Sequence, residues 1–235
     1  MDPERMSKKR FKKREAMLDA AMSIVLEQGV DELTIAALAN SLSLSVGALY
    51  RYFDGKDTIM VELQKRALLR FHERLKHDIE RAGQWAAERD LPPPQRALLE
   101  LVSAAHVFNR DETYHQGEHR LMRAIMNAPD EMLSLEDAVD VDRLIQPLLK
   151  SIIEAIEAVV THGVMQPGDA LMRAYTFWAV VQGTDAFIKR DRFQPPAYQS
   201  AEIITYAVST LLQGWGAQQG DVQVAYTHMN TIFAS

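Results

Sequence analysis

The 235-residue chain has no cysteine, which excludes disulfides, thiolate metal sites and cysteine redox sensing. It also has no long hydrophobic run. The longest nearly apolar stretch, Ala174 to Val181, is far short of the roughly 20 residues that span a bilayer, and the charged N-terminus carries no signal core. A cytoplasmic protein without a membrane segment is therefore expected. No G-x-S-x-G elbow, phosphate-binding glycine loop or dinucleotide fingerprint occurs, so the common catalytic and cofactor motifs are missing, and neither catalysis nor a cofactor is expected. A basic excess is absent too: the net charge is −6, which by itself argues against a nucleic-acid binder.

The charge is unevenly spread, however. The first 60 residues hold nine basic and nine acidic side chains, leaving 17 and 23 for the remainder, so the N-terminal part is neutral and the rest acidic. Within it Lys8, Lys9, Arg10, Lys12, Lys13 and Arg14 form a basic run, read as an arm that neutralises phosphates or enters a minor groove. Hydrophobic residues make up 47% of the chain, enough for a sizeable core.

The pattern of that hydrophobicity is helical throughout. Residues 12 to 28 repeat at Ala16, Ala20, Ile24 and either Ala21 or Val25, with Gly29 placed to end the helix. A long helix is expected from Asp57 to about Ala82, with Met60, Leu63, Ala67, Phe71, Leu75 and Ile79 on one stripe. After the Leu91–Pro94 break, further helices are read at about 94–109, 114–127, 140–162, 169–190 and 198–216, with Gly163 as a stop and Asp169 as an N-cap. No segment alternates like a strand. The fold class is all-α, and residues 218–235 fit either a short helix or an extended arm.

Between the first two long helices lies the most informative segment. Ile35, Leu38, Ala39 and Leu42 mark one face of a short helix capped by Thr34. Ser43 to Ser45 interrupts the pattern, Leu44 is placed to fill the angle between two helices, and Ser45 is a cap for a second helix with Leu49 and Phe53 inward. That phase turns Val46, Gly47 and Tyr50 outward with Ala48 at the edge, while Tyr50, Tyr52 and Lys56 supply donors for phosphates. Two short helices about a tight turn, with small residues at the start of the second, make a helix-turn-helix.

Over roughly residues 10–60 the chain resembles the TetR-type transcriptional regulators. The match is carried by Ala20-Ala21, Glu27-Gln28-Gly29, Asp31 to Thr34, Ser45-Val46-Gly47 and Leu49-Tyr50-Arg51-Tyr52-Phe53 with Lys56. The resemblance implies phosphate contacts from Thr34, Tyr50, Tyr52 and Lys56, a recognition helix capped by Ser45, and Val46, Gly47 and Ala48 at base edges. It also implies a DNA-binding domain over 1–56 and a helical ligand-binding and dimerisation domain over 57–235. Where the family usually has glycine in the turn this chain has Ser43, and Ala36 stands where some relatives hold a base-reading polar side chain. Readout then rests on thymine-methyl contacts and DNA shape more than on bidentate hydrogen bonds.

Downstream, residues 85 to 178 are rich in Met, His and aromatics. The candidate ligand residues are His106, Phe108, Tyr114, His115, His119, Met122, Met126, Phe177 and Trp178, a set suited to a mainly apolar organic effector. The helices over 169–216 are apolar on more than one face, which needs more than one partner; Trp178, Val208, Leu211, Leu212 and Trp215 are the candidate dimer contacts. Together these point to a homodimeric repressor that binds double-stranded DNA at an inverted repeat and is released by its effector. Two alternatives stand beside it. One is a DNA-bound adaptor of the same fold without a small-molecule effector. The other is a metal-dependent hydrolase using His115, Glu118 and His119, which match H-x-x-E-H; no third ligand is identifiable, so no metal is assigned.

Overall fold

A computed structural model describes residues 3–114 and 135–234. Among the described residues no strand occurs. The helices are α1 (Pro3–Gln28), α2 (Ile35–Ser41), α3 (Val46–Leu49), α4 (Lys56–Ala87), α5 (Pro93–Tyr114), α6 (Leu135–Thr161), α7 (Ala170–Thr184), α8 (Ser200–Gly214) and α9 (Gln219–Phe233). Two 3₁₀ segments, Asp185–Phe193 and Pro196–Tyr198, connect α7 to α8.

The chain divides into two compact units, one of Met1–Arg70 with Glu112–Leu144 and the other of Phe71–Asp111 with Ile145–Ser235. In the first, Leu18, Ala21 and Val25 of α1, Leu33, Leu38 and Ala39, Leu49 and Phe53, and Ile59 and Leu63 of α4 are all buried. Each fully buried Leu, Ile, Val or Phe side chain among these contributes about 1.5–3 kcal/mol relative to exposure. The stripe on α1 is Met17, Leu18, Ala21, Met22, Ile24 and Val25, and Ala16 is exposed. Of the expected stripe, Ile24 and both Ala21 and Val25 are buried and Ala20 is half-buried; at its start the buried face passes from Ala16 to Met17 and Leu18, which carry more hydrophobic drive than alanine.

The basic run is not an extended arm. It lies within α1, which begins at Pro3, so an insertion of loose chain into a minor groove is not what these residues are built for. Gly29, with φ 106°, ends α1 in a conformation that favours glycine.

In the second unit, Phe71 and Leu75 of α4, Leu98 and Val102 of α5, Ile152 and Ile156 of α6, Phe177 and Val181 of α7, and Val208 and Leu212 of α8 share one buried cluster. Helix α4 runs to Ala87, beyond Ala82, because Ala82 and Ala86 remain on its buried face. Proline at the first turn of α5 costs nothing, since the amide it lacks has no helical partner there. Gly163 takes φ 73° after α6, and Asp169 Oδ1 accepts the amide of Met172 at 3.0 Å to open α7. The α-helix expected over 169–190 ends at Thr184 and continues as 3₁₀ turns. The tail is a helix: Val222, Ala225, Tyr226, Met229, Ile232 and Phe233 are buried on one face of α9, at the 3- and 4-residue spacing of an amphipathic helix.

Candidate nucleic-acid interface

Helix α2 opens on Thr34, an extended residue whose Oγ1 accepts the Ala37 amide at 3.0 Å. It closes through two crossed bonds, Leu44 N to Ala39 O at 2.9 Å and Ser43 N to Asn40 O at 3.1 Å, the pairing that ends a helix with a left-handed residue. Ser43 is that residue, with φ 53°. A serine in this conformation costs roughly 1–2 kcal/mol that glycine avoids, yet the turn keeps its shape. Leu44 does not fill the interhelical angle: it is 37% exposed, because the left-handed residue before it redirects the chain.

Ser45 then caps α3, its Oγ accepting the Ala48 amide at 3.3 Å. Only four residues are α-helical; the chain continues in turns, with Leu49 O accepting Tyr52 N at 2.8 Å and Phe53 N at 3.0 Å. Leu49 and Phe53 are buried, and this anchors the phase of the turn. Val46, Gly47 and Tyr50 face outward, Tyr50 at 54% exposure, and Ala48 is half-buried. Tyr52 and Lys56 are half-buried, Thr34 exposed. Lys56 begins α4 and donates from Nζ to Val30 O at 3.2 Å, which ties the start of α4 to the loop after α1 and leaves the ammonium two further protons.

Arginines stabilise this arrangement from the side. Arg66 of α4 binds Glu15 and, at 2.7 Å, Asp19 of α1. Burial acts to lower its pKa, but the hydrogen bonds and charges of Glu15 and Asp19 outweigh it and hold the guanidinium above its ordinary value. Arg14 pairs with Glu62 at 3.0 Å. Reading the N-terminal basic residues only as a run missed these separate partners; the i, i+4 spacing of Arg10 and Arg14 was the signal available.

The residues suggested for an effector are not all in view. His115, His119, Met122 and Met126 lie outside the described residues, as do the side chains of Phe108 and Tyr114. His106 of α5 stacks on Phe233 of α9, ring centroids 4.6 Å apart and 18° from parallel. Phe177 and Trp178 belong to the buried cluster of the second unit. Among the described residues no three His, Asp or Glu side chains are grouped to hold a metal, and no helix is long and apolar enough to cross a membrane.

The suggested dimer residues require correction. Val208, Leu212 and Trp178 are buried in their own chain's core, so they present no surface to a second copy. Leu211 and Trp215 are half-buried, and Trp215 is engaged internally, its carbonyl accepting Gln166 N at 2.8 Å and its ring lying 5.3 Å from the Arg173 guanidinium. The exposed apolar residues of these helices are Leu171, Met172 and Tyr175 on α7 and Tyr206 on α8. An apolar count marks these helices as apolar on several sides, but only packing decides which apolar face is internal.

Taken together, these helices define a helix-turn-helix DNA-binding module joined to an all-helical unit. Residues 17–63 match the family model described as "Bacterial regulatory proteins, tetR family", so the helix-turn-helix segment is a DNA-binding module of the TetR type. A curated relative, the fatty acid metabolism regulator protein of Bacillus subtilis (strain 168), is 24% identical over 148 residues, covering 63% of this chain and 66% of the relative, just under two thirds of its length. The fatty acid degradation regulator FadR from Bacillus halodurans superposes with a TM-score of 0.63 at 13% identity, over 88% of this chain and 97% of that one. AibR, solved in complex with isovaleryl coenzyme A and operator DNA, gives 0.60 at 16% identity, over 85% and 97%. At such identities the two structures establish the fold alone.

Proposed function

We propose that the chain is a homodimeric repressor that binds an inverted-repeat operator and is released by a fatty acyl effector. In this reading residues 1–56 form the DNA-binding domain and 57–235 the ligand-binding and dimerisation domain. The observation that carries the DNA-binding half is the phase of α3: Leu49 and Phe53 are buried while Val46, Gly47 and Tyr50 stand outward. Small side chains there permit close approach to a major-groove floor, and Thr34, Tyr50, Tyr52 and Lys56 surround them with phosphate donors. One reader per chain requires pairing for a two-half-site operator. The support for pairing is the exposed apolar set on α7 and α8, together with the scarcity of charge on those helices: Arg173 and Glu202 alone over 170–184 and 200–214.

The effector class follows from two sources. The second unit has an extended apolar interior, and relatives are named for fatty acid metabolism or were solved with an acyl coenzyme A. An acyl chain suits such an interior through apolar contact, and it acts as a switch only if it binds the DNA-free state more tightly.

Titrating operator-bound protein with fatty acids, with acyl-coenzyme A of several chain lengths and with coenzyme A alone tests the reading. Release by an acyl compound, with coenzyme A alone silent, is the expected result. DNA binding unaffected by every acyl compound favours the adaptor instead. Metal-dependent hydrolysis, lost on replacing His115 or His119, would displace both.

A further inference from the structure

We propose that Arg10 is a positioning residue for the recognition turn, acting through Tyr52 and the Arg51 carbonyl rather than by touching DNA. The proposal rests on the DNA-binding reading above. A helix of one turn does not hold itself in water, because nucleation costs more than its few hydrogen bonds return. Helix α3 is such a helix. Its start is held by Ser45 and its inner side by Leu49 and Phe53, which leaves the outward end, residues 50–52, to be steadied by something else.

Arg10 reaches that end from 41 residues earlier in the chain. Its Nη2 donates to Arg51 O at 3.1 Å, supplying a positively charged donor where a helical turn presents carbonyls and a negative dipole end. The same guanidinium lies 5.7 Å from the centroid of the Tyr52 ring, within cation–π range. One turn further along α1, Arg14 lies 5.2 Å from the Phe53 ring while paired with Glu62 of α4. Arginines four apart on one face of α1 thus hold three successive residues, Arg51 to Phe53. The basic run has two functions: Arg10 and Arg14 brace the reader, while Lys8, Lys9, Lys12 and Lys13 stay exposed as sources of positive potential.

Arginine suits the bracing role because a plane and a donor fork occur in one group; lysine matches the charge and one donor but has no plane. Arg10→Lys therefore separates positioning from charge. Because Arg10 is exposed, the substitution leaves the core intact.

The test measures affinity of the full-length protein for one operator duplex across a salt series, for wild type, Arg10→Lys, Tyr52→Ala and the double variant, with melting temperatures alongside. Arg10→Lys should weaken binding roughly fivefold to thirtyfold, with the salt slope and melting temperature close to wild type. In the Tyr52→Ala background, read at low salt where binding is strong, the same substitution should have a much smaller effect. Wild-type affinity for Arg10→Lys overturns the proposal, since charge alone then suffices. So does a loss that persists undiminished without Tyr52, the mark of a direct phosphate contact. Wild-type protein that binds no duplex brings down the DNA-binding reading and this one together, whereas strong wild-type binding with an indifferent Arg10→Lys removes only this one.

Discussion

Val208 and Tyr206, two residues apart on α8, lie on opposite sides of the helix: Val208 is fully buried in its own chain and Tyr206 is 77% exposed. At about 100° per residue, a step of two turns the side chain by about 200°, to the opposite side. In the proposed dimer the contact from this helix is made by the Tyr206 side. Tyr206→Glu should give monomers by sedimentation, with helical circular dichroism retained and operator binding lost. Val208→Asp should instead lower stability by about 3 kcal/mol or more through an unpaired buried charge. A monomeric wild type in the same sedimentation experiment removes the interface.

The turn of the reader is strained at Ser43. Replacing it with glycine should raise stability by roughly 0.5–1 kcal/mol, the left-handed cost less glycine's greater freedom in the unfolded chain. Ser43→Val should lower it. Urea midpoints of the three proteins check the order, and a Ser43→Gly less stable than wild type contradicts the assigned conformation.

Lys56 divides its ammonium between Val30 O and, in the proposed complex, a DNA phosphate. Lys56→Ala should weaken binding to all duplexes alike and reduce the slope of log affinity against log salt by about one. Substituting Val46 or Ala48 should alter which sequence is preferred while the slope stays constant. Unchanged affinity and slope in Lys56→Ala would mean that this lysine serves only the fold.

Acid should expose the pairing of α4 with α6 in the first unit. Lys65 Nζ donates to Asp140 Oδ2 at 3.1 Å and Arg143 Nη1 to Oδ1 at 3.0 Å. The hydrogen bond and charge of Lys65, aided by Arg143, hold the Asp140 carboxyl below its ordinary value. A depressed folded-state pKa gives stability that is present above the usual carboxylate range and is lost as pH falls through the lowered value. The stability gap between wild type and Asp140→Asn should therefore narrow as pH drops from about 5 to about 3. A gap independent of pH in chemical denaturation argues against the pair.

Local chemistry explains what could be read from the chain without coordinates. Thr34, Ser45 and Asp169 cap helices through bonds to amides three residues on, so their roles depend only on neighbours within one turn. Of the stripe from Met60 to Ile79, Met60, Leu63, Ala67, Phe71 and Leu75 are buried and Ile79 is half-buried, and Leu49 with Phe53 set the phase that turns Val46 and Tyr50 outward. The face of α9 was equally present in the spacing from Val222 to Phe233, but a short polar-rich tail becomes a helix only when a core is there to receive that face.

Tertiary structure decided the rest. Arg10 meets Arg51 and Tyr52 across 41 residues, a pairing no local rule predicts. Helices α7 and α8 carry apolar residues on several sides, and hydrophobicity is non-directional: it states that Val208 and Tyr206 both gain from leaving water, not which goes inside. That choice belongs to the close packing of the other helices, whose volumes admit Val208, Leu212 and Trp178 and leave Tyr206, Met172 and Tyr175 at the surface.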